Sequence, residues 1–215
     1  MRSQSDLEDR FPTLEDDGAP SELPLDLVKR AQGCLLGQLA GDSLGSLVEF
    51  EDEDSIRRRY PEGISRLVDG GTWGTLAGQP TDDSEMALML ARSIIRHGGF
   101  DPAEAAVAYA HWYGSSPFDC GNTTAQALRP ARAALVGGDG AESVAAAARS
   151  RASGESQANG ALMRVSPMGI SAHDLPADAC ADLARQDALI THPHEVCQDA
   201  SAVFVVAIAH AISTG

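Results

Sequence analysis

The sequence predicts an all-α protein built as a bundle of helices. After residue 24, apolar residues recur at every third or fourth position, and almost no stretch alternates in the manner of a β-strand. Glycine and proline interrupt this pattern at short intervals, which indicates short connectors between the helices. With 215 residues, of which 43% are hydrophobic, the chain is long enough to bury a sizeable core.

The first 24 residues differ in composition from the rest. They contain seven acidic and two basic side chains, three prolines and few apolar residues. Such a segment cannot bury enough apolar surface to fold, so we expect an acidic, disordered or loosely attached leader at 1–24, followed by a helical domain at 25–215. We expect no signal peptide and no membrane span, because the apolar stretch at 33–48 is short and contains Asp42.

The first helix of the domain begins at Leu25 and carries a glycine at every fourth position, namely Gly33, Gly37, Gly41 and Gly45. This spacing aligns the glycines along one stripe of an α-helix. Since each glycine costs about 1 kcal/mol relative to alanine, we expect another backbone to pack tightly against the stripe. Asp42 and Glu49 would then lie close to whatever packs there.

The remaining helices are predicted from periodicity and from their end signals. Gly98 and Gly99 end one helix, Pro102 begins the next, and Gly137 and Gly138 end a third. The predicted helices span residues 82–97, 101–113, 122–136, 141–150, 176–190 and 193–213.

Charge and cysteine content exclude several functional classes. The net charge of −15 repels phosphates, so nucleic acid is a poor partner and a divalent cation site is the first feature to seek. The four cysteines form no C-x-x-C pair, which argues against a disulfide framework or a zinc ribbon and fits a reducing cytoplasm. No P-loop motif is present.

Two adjacent carboxylates follow a hydroxyl where a loop meets a helix. Thr81, Asp82 and Asp83 offer the oxygen ligands that Mg²⁺ and Mn²⁺ prefer. The alternative is structural, because Asp82 with Glu85 three residues later is also a capping-box pattern.

Two further segments carry polar groups just before a predicted helix. Asp119, a glycine and Asn122 precede one helix, where they can surround a phosphorylated or polyhydroxylated ligand or form an ordinary turn and cap. Ser156 and Asn159 belong to a loop that is typical of an anion site and equally of a plain connector. We expect Arg164, just after that loop, to form a structural ion pair.

The fourth segment contains two histidines separated by a proline. His192 and His194 point in different directions across Pro193, so they are not expected to chelate one metal ion. His192 can instead hydrogen-bond a ligand or stack on it.

Taken together, these segments resemble one family, the ADP-ribosylglycohydrolases, which include the dinitrogenase reductase activating glycohydrolases. The resemblance depends on order and spacing over residues 30–212. The motifs are GCLLG at 33–37, GDSLG at 41–45, EF at 49–50, TDDSEMAL at 81–88, DCGNT at 119–123, NGALMR at 159–164 and THPH at 191–194.

The resemblance implies an all-α orthogonal multi-helix bundle of the ADP-ribosylglycohydrolase type. It also implies a pair of divalent cations, Mg²⁺ or Mn²⁺, at the base of a cleft that takes ADP-ribose, with Thr81, Asp82 and Asp83 as metal ligands. Glu49 matches the acidic position of a mobile entrance loop, and Asp119 matches a carboxylate near the scissile ribose. The residues that match positions lining the cleft are Asn122, Ser156, Asn159 and His192.

The function implied is a metal-dependent hydrolase that removes ADP-ribose from a modified protein side chain or from a small ADP-ribosyl compound. Asp83, Asp119 and Glu49 are then the catalytic acids. A second family motif, Gly-Gly-Asp-Thr-Asp, is not found, so we expect an incomplete second metal site in a chain without the C-terminal third of the domain, either a fragment or a reduced variant. The alternative is a non-catalytic ADP-ribose-binding or crystallin-like structural protein on the same scaffold.

Overall fold

The computed structural model describes residues 23–215, and the predicted acidic leader lies outside this range except for its last two residues. The described residues form nine α-helices and one 3₁₀ turn, with a single isolated β-bridge between Gly70 and Thr75. The all-α prediction is confirmed. The helices are α1 (Leu25–Gly45), α2 (Glu53–Arg59), α3 (Asp82–His97), α4 (Pro102–Tyr113), α5 (Asn122–Gly137), α6 (Ala141–Arg149), α7 (Ser166–Ser171), α8 (Ala177–Thr191) and α9 (Glu195–Thr214), with the 3₁₀ turn at Leu162–Arg164.

Local signals set most helix ends. Asp101 accepts hydrogen bonds from the backbone N–H groups of Ala103 and Glu104, and Pro102 occupies the first position of α4. Gly98 ends α3 with a φ of 69°, in the left-handed region that favours glycine. The short helices α2 and α7 and the 3₁₀ turn lie where the sequence predicted only connectors or the start of a helix.

Helices α3 to α9 supply the core. Helix α9 packs on α8 and α7, while α5 and α6 pack on each other and on α4. The fully buried core side chains include Met86, Leu90, Tyr109, Leu128, Met168 and Val205. This packing brings the first turns of α3 and α5 together, because the backbone N–H of Gly121 donates to Oδ2 of Asp82 at 3.4 Å.

Helix α1 is attached by hydrogen bonds more than by core packing, since Ser43 is its one buried residue. Nε of Arg30 donates to the carbonyl of Ile212 at 2.7 Å, near the end of α9. Nε2 of Gln38 donates to the carbonyls of Met163 at 2.9 Å and Asp83 at 3.2 Å. The helix therefore joins α9, the 3₁₀ turn and the start of α3.

The predicted tight contact along the glycine stripe is wrong for the described residues. A Cβ placed on any of the four glycines would meet no other atom within 4 Å. The physical reason is that α1 docks through the side that carries Gln38 and Asp42, which leaves the glycine side open.

Among the described residues, α9 is the one helix long and apolar enough to cross a membrane by length and composition. A core helix of a soluble protein passes the same test, and α9 packs against both α7 and α8. This packing buries 39% of the apolar stretch of α9, and the exposed remainder includes Val203 and Phe204.

All four cysteines are free thiols, as the sequence predicted. Burial raises the pKa of each thiol above its ordinary value, that of Cys120 to about 11. None of them is an activated nucleophile in this structure.

Candidate active site

A carboxylate from α1 caps α3. Both oxygens of Asp42 accept from the backbone N–H of Thr81, at 3.2 and 3.1 Å, and Oδ1 also accepts from the Thr81 hydroxyl at 2.7 Å. Oδ2 of Asp42 accepts from the backbone N–H of Ser84 at 3.1 Å. Asp42 therefore satisfies N–H groups that a capping side chain within α3 would otherwise satisfy.

The capping-box alternative for Asp82 and Glu85 is wrong. Thr81 occupies the N-cap position and makes no side-chain cap hydrogen bond. Oε2 of Glu85 accepts from the indole N–H of Trp112 at 2.7 Å, so its side chain does not turn back to the start of α3. Because Asp42 supplies the cap, the carboxylates of Asp82 and Asp83 remain available for other contacts.

Five carboxylates from three separate parts of the chain form an acidic cluster, consisting of Asp42, Glu49, Asp82, Asp83 and Asp119. Burial and then the charge of Asp82 raise the pKa of Asp83 to about 7, with smaller contributions from Asp42 and Glu49. Burial and then the charges of Asp82, Glu49 and Asp83 raise the pKa of Asp119 to about 7. Burial also raises the pKa of Asp82. No Lys, Arg or His within residues 23–215 forms an ion pair with the cluster.

Part of this cluster fits a divalent cation. The Thr81 hydroxyl and the carboxylates of Asp82 and Asp83 are hard oxygen donors. A cation would offset the repulsion between neighbouring acids that, after burial, raises the pKa values of Asp82 and Asp83. However, the described part of the chain holds no group of three or more His, Cys, Asp or Glu side chains placed to bind a metal ion. The described residues thus offer a partial set of ligands, two carboxylates and one hydroxyl.

Three exposed aromatic rings stand beside the cluster. Oε2 of Glu49 accepts from the indole N–H of Trp73 at 2.8 Å. The Trp73 ring meets Phe50 edge-on, with centroids 6.4 Å apart, and meets Phe118 with centroids 6.1 Å apart. This aromatic rim, formed by Phe50, Trp73 and Phe118, joins the segment of Glu49 to that of Asp119.

The loop at 153–160 approaches the cluster from another direction. The hydroxyl of Ser156 is 2.8 Å from that of Thr123, which attaches the loop to α5 beside the exposed Asn122. Asn159 and Asp83 both line a cleft of about 570 Å³, which is also bordered by Gln38 and Phe204. The structure thus brings two of the predicted residues, from distant parts of the sequence, to one cleft.

His192 lies beneath that loop. Its ring is 1% exposed, and Nδ1 is 2.8 Å from the hydroxyl of Thr191. A Cβ placed on Gly160 would lie 2.6 Å from Cε1 of His192, so only glycine fits over the ring. Burial and then the positive charge of Arg164 lower the pKa of His192 to about 4, which keeps the imidazole neutral.

Arg164 forms the structural ion pair that the sequence predicted. Its guanidinium is fully buried, and Nε donates to Oδ2 of Asp187 at 2.8 Å. Tyr109 donates to Oδ1 of Asp187 at 2.6 Å, and Arg164 lies over the Tyr109 ring at 4.2 Å. Sequence reasoning missed Asp187, and it noted Asp42 as an acid within an apolar stretch without identifying it as the cap of α3.

Comparisons with known proteins identify relatives of this chain. The ADP-ribosyl-[dinitrogen reductase] glycohydrolase of Rhodospirillum rubrum is 35% identical over 193 residues, which cover 86% of this chain and 58% of that protein. The ADP-ribosylarginine hydrolase Tri1 of Pseudomonas putida (strain GB-1) is 38% identical over 112 residues, which cover 49% of this chain and 29% of that protein.

A solved structure described as an ADP-ribosylglycohydrolase-related protein complex superposes with a TM-score of 0.65 at 28% identity. The match covers 84% of this chain and 55% of that one. The chain therefore spans somewhat more than half the length of the R. rubrum protein and of this structure. The sequence model of the family described as ADP-ribosylglycohydrolase matches residues 23–215, and the chain belongs to that family.

Proposed function

We propose that this protein is a metal-dependent hydrolase that removes ADP-ribose from a modified protein side chain or a related small ADP-ribosyl compound. The observation that carries the proposal is the acidic cluster, in which two buried and three half-buried carboxylates from three parts of the chain share one site without a cationic partner among the described residues. Such crowding destabilises a fold and is typical of a functional site. The names of the relatives from R. rubrum and P. putida support ADP-ribose as the group removed.

The hydrolysis requires a general base whose pKa lies near 7. Hydrolysis breaks the bond between C1 of the ribose and the acceptor atom and forms a bond from C1 to a water oxygen, while positive charge builds on the ring. A carboxylate with a raised pKa accepts the proton of that water efficiently, and Asp119, which is not one of the proposed cation ligands, is the candidate base. Asp83, as a cation ligand, would instead help to orient the water. The acceptor atom leaves with the electron pair and takes up a proton. Glu49, at the entrance, adds negative charge that favours the cationic ring.

Thr81, Asp82 and Asp83 would hold the divalent cation, Mg²⁺ or Mn²⁺. When bound, the cation offsets the crowded carboxylates and binds the hydroxyls of the ribose. Since the carboxylates must be deprotonated to bind it, a raised pKa makes cation binding weaker as the pH falls below about 7.

The cleft and its surroundings fit the rest of the ligand. Asn122 and Asn159 are exposed amides, and Ser156 lies between them on the loop attached to α5. Together with His192 they offer uncharged donors and acceptors for the phosphates and sugars of ADP-ribose.

The aromatic rim favours a cationic acceptor, and we therefore propose arginine as the modified side chain. A guanidinium stacks well on aromatic rings, and the adjacent carboxylate of Glu49 complements its charge. The name of the P. putida relative, an ADP-ribosylarginine hydrolase, agrees with this choice. Release of ADP-ribose from modified arginine and modified serine peptides tests it. Trp73→Leu should lower the rate on arginine more than on serine, whereas an equal loss on both would exclude a role in choosing the acceptor.

The function itself is tested with the whole chain and an ADP-ribosylated protein. We expect release of free ADP-ribose with Mg²⁺ or Mn²⁺, and loss of release with EDTA. Asp83→Asn and Asp119→Asn should each lower turnover at least about a hundredfold, the usual contribution of general acid–base catalysis. Asp178→Asn is the matched control, because Asp178 is also the second residue of a helix but lies exposed and away from the cluster.

One observation favours a second candidate, a non-catalytic ADP-ribose-binding protein. The described residues lack a full group of metal-binding side chains. This alternative predicts that calorimetry finds the same affinity for ADP-ribose with Mg²⁺ and with EDTA, and that no ADP-ribose is released from modified protein under either condition.

A further inference from the structure

A fully buried network of polar side chains connects α4, α8 and the 3₁₀ turn. Besides its bond to the carboxylate of Asp187, Arg164 donates through Nη2 to the Asp187 carbonyl at 2.9 Å. Its Nη1 donates to the Thr191 hydroxyl at 2.8 Å and to the Gly160 carbonyl at 3.2 Å. Arg164 therefore bonds only to groups of the chain itself and does not serve as a phosphate ligand.

The Thr191 hydroxyl connects this network to His192. A guanidinium only donates hydrogen bonds, so the oxygen of Thr191 accepts from Arg164. Its own hydrogen then has one neighbour to receive it, Nδ1 of His192 at 2.8 Å. If Nδ1 carried the proton instead, the Thr191 hydrogen would be buried without an acceptor among the described residues, at a cost of about 1–3 kcal/mol.

The state of the imidazole follows from this bond. The low pKa keeps the ring neutral, and Nδ1 accepts from Thr191, so the single ring proton is on Nε2. In the described part of the chain, Nε2 has no hydrogen-bond partner. A Cβ placed on Gly160 would lie 3.0 Å from Nε2. The Nε2 atom is therefore directed at the loop that carries Ser156 and Asn159. Nε2 is not among the fully buried polar atoms that lack a partner, so this N–H donor is accessible to an acceptor from outside the described residues.

We infer that Arg164 and Thr191 are positioning residues that hold His192 as an Nε2–H donor to an oxygen of the ligand bound at the loop 153–160. The identity of that ligand as ADP-ribose rests on the proposed function. The absence of a side chain at Gly160 keeps the path to Nε2 open, because any Cβ there would contact the ring.

The ring state is tested first by NMR on the whole chain, with ¹⁵N-labelled histidine and long-range ¹H–¹⁵N correlation. We expect a protonated Nε2 and an unprotonated Nδ1 for His192 at neutral pH. Titration with ADP-ribose should shift the Nε2–H resonance downfield. An Nδ1–H ring, or an Nε2–H signal that does not move while ADP-ribose binds, would overturn the inference without the need for a variant.

Variants then separate positioning from a structural role. Thr191→Val removes the hydroxyl at nearly constant volume, and it should shift the ring toward Nδ1–H and weaken ADP-ribose binding about tenfold, which is 1.4 kcal/mol. Thr191→Ser should restore both properties. Tyr109→Phe removes a hydroxyl from the same network without touching Thr191, so it should lower stability and leave the ring state and affinity unchanged.

The outcomes distinguish this inference from the proposed function. If wild-type protein binds ADP-ribose and Thr191→Val binds it equally well, the positioning role is refuted and the proposed function stands. If wild-type protein binds no ADP-ribose, the proposed function fails together with the ligand assigned here.

Discussion

Replacing Asp83 with asparagine should raise the free energy of unfolding at pH 8, and should raise it by a smaller amount at pH 5. Burial and neighbouring acids raise the pKa of Asp83 from 3.8 to about 7, so the folded chain binds this proton more tightly than the unfolded chain does. Wild-type stability therefore falls as the pH rises from about 4 to about 7, because folding must hold a charge that the site disfavours. Asparagine carries no charge, so the free energy of unfolding of the variant does not fall in this way.

The size of the effect follows from the pKa difference. A shift of about three pKa units corresponds to about 4 kcal/mol, at 1.36 kcal/mol for each unit. Asp83 is partly exposed, so solvent screening reduces this value, and protons on Asp82 or Asp119 relieve some of the same repulsion. We expect a net gain of about 1–2 kcal/mol at pH 8.

Urea unfolding followed by circular dichroism, in EDTA between pH 5 and pH 8.5, measures the effect. Asp178→Asn is again the matched control, since it removes an acid from the second position of α8. It should lose about 0.3–1 kcal/mol through the helix dipole at both pH values. If Asp83→Asn loses stability at pH 8 as the control does, the carboxylate is a structural helix-end group, and the view of the cluster as a strained site is refuted.

Three further substitutions test other parts of the structure. Asp42→Ala should lose about 2–4 kcal/mol of unfolding free energy, because it removes a helix cap and a charge-assisted hydrogen bond; Asp42→Asn keeps one acceptor oxygen without the charge, so wild-type stability in that variant would show that the charge contributes nothing. Gly160→Ala should lose about 1–3 kcal/mol and displace the NMR signals of His192, since the new Cβ would overlap the ring; unchanged signals would contradict the close contact. Asp187→Ala should lose about 3–5 kcal/mol in urea unfolding, because it leaves Arg164 charged and buried without a partner. The double variant with Arg164→Met should recover part of that loss, and equal losses in the two variants would argue against an unpaired charge as the cause.

The positions of the longer helices could be predicted from sequence because their signals are local. Asp101 and Pro102 mark the start of α4, and Gly98 marks the end of α3, all within a few residues of the boundary. Helix α2 was missed because its seven residues include no buried side chain and therefore show no apolar period.

The site was predictable only in part. The cap of α3 and the raised pKa values of the acidic cluster both depend on contacts between segments that are distant in the sequence. The capping box assumed a partner within the same turn, whereas the cap of α3 comes from Asp42, about forty residues earlier. The burial of His192 depends on the loop over it, which periodicity does not reveal. The coupling of Asp119 to Asp82 likewise requires α3 and α5 to begin at the same place.

Because polar contacts fasten α1 to the bundle, its amide hydrogens should exchange with solvent well before those of α3 or α4. Each such partial opening withdraws Asp42, so the start of α3 loses its cap while the apolar core remains folded. The arrangement of the acids at the start of α3 thus depends on a helix at the edge of the bundle.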